Sequence, residues 1–87
     1  SILADSTRNT TFNKFYIMEV TIFKTNVKNE IVAQHLVVQL QIIIPDFKIN
    51  FDLEDCDNIL RLYGNRNVSQ LVINHMQSEG FECKEIE

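Results

Sequence analysis

Residues 33–45 read AQHLVVQLQIIIP, and two periodicities compete in them. Ala33, Leu36, Val37, Leu40 and Ile44 recur at helical spacing until Pro45 stops the run. Val38, Leu40 and Ile42 alternate with Gln39 and Gln41, which is a strand pattern rich in β-branched residues. The neighbouring segments decide between them. They read as strands, and another strand here would leave no helix in the first half of the chain to cover the sheet they build. The stretch is therefore expected to be the first helix, with Asn26 as its N-cap.

Working outward, Tyr16 to Phe23 alternate, with Tyr16, Met18, Val20 and Ile22 on one face and Ile17, Glu19, Thr21 and Phe23 on the other, which predicts strand one. Beyond Pro45, Phe47, Ile49, Phe51 and Leu53 alternate with Lys48, Asn50 and Asp52 as a half-buried strand. A hairpin turn at Glu54 to Asp57 leads into a third strand, Asn58 to Tyr63, with Leu60 and Leu62 facing the core. A turn over Gly64-Asn65-Arg66-Asn67 precedes a second helix from Val68 to Glu79, with Val68, Leu71, Val72, His75 and Met76 as its apolar stripe and Gly80 as its stop. Phe81 to Ile86 closes the chain as a last strand. The order β-α-β-β-α-β predicts an α+β, ferredoxin-like domain: a four-stranded antiparallel sheet with two helices on one face.

At 87 residues and 45% hydrophobic content the chain holds one domain and one core. Residues 1–15, rich in Ser, Thr and Asn and without sustained periodicity, are expected to be a flexible leader to a domain over 16–87. The formal net charge of −4 opposes a nucleic-acid phosphate backbone and an anionic membrane surface as partners. The run LVVQLQIII is too short and too often broken by glutamine to span a bilayer. Two cysteines, Cys56 and Cys83, without an apolar signal segment fit thiols in a reducing, cytoplasmic setting.

The element order, the domain length, and the ending MQSEGFECKEI, with an apolar residue four before a Gly-aromatic pair, resemble heavy-metal-associated domains of the copper-chaperone type. The resemblance covers residues 16–87. It implies a metal held by two thiolates of a Met-x-Cys-x-x-Cys motif between strand one and helix one, where soft sulfur suits Cu(I). Here the equivalent stretch is Phe23-Lys24-Thr25-Asn26-Val27-Lys28, with neither cysteine. The resemblance therefore implies the fold of that superfamily without its usual metal site or cofactor.

Candidate chemistry lies elsewhere. Asp52, Glu54, Asp55 and Asp57 surround Cys56, and Cys56 with Asp55 and Asp57 forms an alternative metal-handling set. The same acids raise the cost of a thiolate and suit a solvated hairpin tip. The hairpin tip and the loop after strand one share one end of the fold, which would bring Lys24 and Lys28 toward Cys56. Cys83 shares a strand face with Phe81 and reads as a small buried hydrophobe. His75 lies in the second helix's apolar stripe and His35 on the outer side of the first, and neither has a His or Cys at i+3 or i+4. The loop after strand one has no glycine or arginine for a phosphate cradle, and the open-face set Ile17, Glu19, Thr21, Ile59, Arg61 and Tyr63 lacks stacked aromatics for RNA. No enzyme activity is expected.

The first helix carries the most informative feature. With Ala33, Leu36, Val37, Leu40 and Ile44 inward, Ile31, His35, Val38 and Ile42 form a second stripe at steps of four, three and four on the opposite side. An outward apolar stripe is expected to meet a protein partner or a second copy of the chain.

Overall fold

The structure, a computed structural model, describes residues 18–86. The expected leader over 1–15 and the strand positions Tyr16 and Ile17 lie outside the described residues. The elements are β1 (Glu19–Thr25), α1 (Glu30–Ile43), β2 (Lys48–Asp52), β3 (Ile59–Gly64), α2 (Ser69–Ser78) and β4 (Cys83–Ile86). The strands pair antiparallel in the order β2-β3-β1-β4, the ferredoxin-like arrangement. The stretch with two competing periodicities is helical.

Register fixes which side chains face the helices, because paired residues in an antiparallel ladder share a face. Phe23 lies opposite Leu60 in β3, and Leu60 lies opposite Phe51 in β2. Phe23, Leu60 and Leu62 are wholly buried, while Val20 on the other face of β1 is 49% exposed. This reverses the two faces expected for β1. Thr21, Phe23 and Thr25 point toward the helices, whereas Val20, Ile22 and Lys24 join Ile59, Arg61 and Tyr63 on the open face. Alternation gave both faces of β1 apolar residues, and the bulkier Phe23 takes the core.

Thr25 closes the end of that strand. Its hydroxyl donates to the Asn58 carbonyl at 2.7 Å and accepts the Val27 N–H at 3.2 Å, which satisfies a buried polar side chain. The N-cap of α1 is Asn29 rather than Asn26: Asn29 Oδ1 accepts the N–H groups of Ile31 and Val32 at 2.8 and 3.1 Å. Asn26 instead accepts the Glu82 N–H at 2.9 Å and so fixes the chain ahead of β4. Ala33, Leu36, Leu40 and Ile44 enter the core as expected, and Val37 is half-buried.

In α2 the core positions are Val72 and Met76, with Val68 at the cap, while Leu71 is exposed. The i, i+4, i+8 row of Val68, Val72 and Met76 lies on the sheet, and Leu71 falls one position off it. The helix ends in a Schellman turn. Gly80 at φ 90° donates to Gln77 and Phe81 donates to Met76, at 3.0 and 2.9 Å.

Gly64, expected in a turn, is the last residue of β3, and its missing side chain is filled by the Phe47 ring. The guanidinium of Arg66 stands 5.4 Å from that ring's centroid and grips Asp46 through two bonds of 2.9 Å. The Arg66 hydrogen bond holds the Asp46 carboxyl below its usual range. This depressed value stabilises the fold above the unfolded-state pKa, and the contribution is lost as pH falls through the folded one.

A Cβ on Gly64 would run into the Phe47 ring. Gly64→Ala is expected to destabilise the domain by about 1–3 kcal/mol in denaturant titration. The cost should shrink when Phe47→Leu is added, so a double-mutant cycle without coupling would refute this packing.

Candidate functional site

The outer surface of α1 follows from its inner one. With Leu36 and Leu40 wholly or nearly buried, helical geometry aims Ile31, His35, Val38 and Ile42 away from the sheet. Ile31 is 78%, Val38 58% and Ile42 76% exposed, and His35 is exposed with them. All four residues expected on the outer stripe therefore lie together on one solvent-facing surface. Their steps of four, three and four are the spacing of a helix-pairing seam.

One flank of this surface is bound to α2. The Gln39 amide donates to His35 Nε2 at 3.0 Å, and its carbonyl oxygen accepts from His75 Nε2 at 2.7 Å. The same amide reaches Glu79 Oε1 at 3.5 Å. His75, expected in the apolar stripe of α2, is half-buried and ties the two helices together through Gln39. His35 is joined to this bridge through the same glutamine.

The other flank opens. Between α1 and β2 runs a groove of about 720 Å³, bordered by Ala33, Gln34, Val37 and Val38 on the helix and by Ile49, Phe51 and Leu53 on the strand side. Glu30, Asp52 and Glu54 give it an acidic end. Arg61 closes part of that end by reaching Asp52 at 3.4 Å and Asn50 at 3.3 Å. Val38 belongs to both the outer stripe and the groove, which makes them one continuous surface. The stripe was evident from helical spacing; the groove depends on where α1 sits over the sheet.

The acidic hairpin tip has a different character. Asp52 Oδ1 accepts the Glu54 N–H at 3.1 Å, and Asp55 Oδ1 accepts the Asp57 N–H at 2.8 Å. These are Asx turns, which shape the connection between β2 and β3, and Asn58 completes it at φ 50°. Asp57 also pairs with Lys24 at 3.5 Å, so the tip and the end of β1 do meet. Ligand atoms of Asp55, Cys56 and Asp57 lie within 4.8 Å of one another. The cluster mixes two hard oxygens with a soft sulfur, and both carboxylates already serve the turn or Lys24.

The two thiols differ by burial. Cys56 is exposed, whereas Cys83 is buried on the helix side of β4 opposite Thr25. Burial pushes the Cys83 thiol up from 9.0 to about 12. It stays protonated at neutral pH and serves as core. A raised value contributes stability that is intact below the unfolded-state pKa and is lost as pH rises from about 9 toward about 12.

No protein-family model matches the chain, and no curated protein and no solved structure matches it.

The contrast between the thiols is directly measurable. A thiol reagent at mildly alkaline pH is expected to modify Cys56 in the native protein and Cys83 only after denaturation. Cys56→Ala should remove the native reaction entirely. Fast modification of Cys83 in that variant would contradict the burial described above.

Proposed function

We propose that the chain is a non-enzymatic interaction module of the heavy-metal-associated-like superfamily, without that superfamily's usual metal site, which docks a protein surface through α1. The observation that carries this reading is the exposure of Ile31, Val38 and Ile42 on one helix face. Covering three such side chains contributes several kcal/mol at roughly 25 cal/mol per Å² of apolar surface. The fixed helix flank, tied to α2 through Gln39, presents them with little ordering cost on binding.

Electrostatics support the same reading. Two basic side chains of the open sheet face, Lys24 and Arg61, are engaged by Asp57 and Asp52, and the chain carries a net charge of −4. Both features disfavour nucleic acid and anionic membranes. Among the described residues no helix is long and apolar enough to cross a membrane. A cytoplasmic setting fits the two free thiols.

The second reading, a metal-handling protein using Cys56, Asp55 and Asp57, draws on the closeness of their ligand atoms. Titration with Cu(I), Zn²⁺ and Mg²⁺ separates the two. A signal that disappears in Cys56→Ala would favour metal handling, and identical flat titrations would remove it.

For the leading reading, Val38→Glu and Ile42→Glu are expected to weaken self-association or partner binding by about tenfold or more. Their stability should change by no more than about 0.5 kcal/mol, because both positions face water. Sedimentation of wild type and variants, with capture on the immobilised domain, reads the effect. A strict monomer at high concentration with no stripe-dependent capture would overturn the proposal.

A further inference from the structure

The groove beside α1 runs along the outer edge of β2, the last strand on that side of the sheet among the described residues. We infer that a second copy of this chain fills it, its β2 running antiparallel to the first about a two-fold axis through Asn50. The two four-stranded sheets then form one sheet of eight. This inference rests on the α1 docking surface proposed above and names the occupant of the flank that Val38 shares with the groove.

An edge strand presents half of its backbone N–H and C=O groups outward, ready to pair with another chain. What selects the partner is the chemistry of Lys48-Ile49-Asn50-Phe51-Asp52. Turned about Asn50, the segment maps onto itself. Lys48 faces Asp52 of the second copy, Ile49 faces Phe51, and Asn50 faces its own counterpart. Each pair lies on one face of the sheet, so both copies keep their helices on the same side. This register also pairs all five residues of the strand. Opposite charges placed directly across strands attract, and both ion pairs recur by symmetry.

The other edge shows the reverse. In β4, Cys83-Lys84-Glu85-Ile86, the registers that keep the helices on one side and pair three of its four residues place Lys84 opposite Lys84 or Glu85 opposite Glu85. Such a pairing repels itself. Of the two edges of the sheet, β2 is complementary to a second copy and β4 is not.

Joining through β2 also covers the groove flank of α1. That helix packs over β2, and α2 packs beside β4. A two-fold axis just outside β2 brings the two α1 helices together along the flanks that border the groove. Gln34, Val37 and Val38 then face their counterparts across the groove. A five-residue strand pair is smaller than the roughly 1,000 Å² of a stable interface, and the helix pair extends it.

Charge exchange in the full-length chain tests the pairing. Lys48→Asp and Asp52→Lys are each expected to raise the dimer dissociation constant about tenfold or more, measured by sedimentation equilibrium. An equimolar mixture of the two variants should recover a heterodimer near wild-type affinity, because each supplies the charge the other lacks. The double variant should recover the homodimer. Circular dichroism controls for folding, and if Asp52→Lys does not fold, the repulsion expected in Lys48→Asp alone decides. Charge variants that dimerise like wild type, alongside loss of dimer in Ile42→Glu, would overturn β2 pairing and leave the α1 surface standing. A monomeric wild type with stripe-dependent capture of another protein would overturn the second copy as occupant.

Discussion

Phe23 decides which way the sheet faces. It sits in β1, a central strand, opposite Leu60, and is wholly buried. With Phe23 toward the helices, every alternate residue of β1 follows, and Thr25 reaches the Asn58 carbonyl at the end of the hairpin connection. A four-stranded sheet covered on only one side has room there for two helices. Each takes one half: α1 lies over β2 and α2 beside β4. The outer stripe of α1 and the edge of β2 are brought together by that constraint.

Most of the architecture was legible in the pattern of apolar residues. The order of six elements, the Gly80 stop, the core residues of α1 and its exposed stripe all follow from periodicity and turn chemistry. The faces of β1 were not legible, because Val20 and Ile22 are as β-prone as Thr21 and Phe23. Only pairing with β3 separates them. The cap was misplaced for a related reason. Asn26 and Asn29 are both good N-cap residues, and the three-dimensional position of Glu82 gives Asn26 a different partner. Leu71 fits a helical stripe by spacing, yet the angle of α2 on the sheet leaves it in water.

The two surfaces singled out by their residues turn out to be built in opposite ways. The acidic tip around Cys56 is occupied with its own geometry: Asp52 and Asp55 cap turns, and Asp57 meets Lys24. Its acids carry out structural work that their spacing only suggested. The face of α1 is apolar, exposed and rigidly presented, with the flank away from α2 open onto β2. The groove lay beyond any one-dimensional reading, since it joins residues from 30–38 with residues from 49–61. The charge symmetry of Lys48 to Asp52 was present in the sequence, but its meaning depends on β2 lying at the edge.

The central claim, that a second copy covers the β2 edge and the flank of α1 beside it, concerns the backbone of five residues. Amide hydrogen exchange across 48–52, followed at several protein concentrations, tests it most directly. The account predicts that alternate amides of β2, those turned away from β3, gain protection as concentration rises while those bonded to β3 stay protected throughout. Exchange at the outward amides that remains fast and independent of concentration would contradict it.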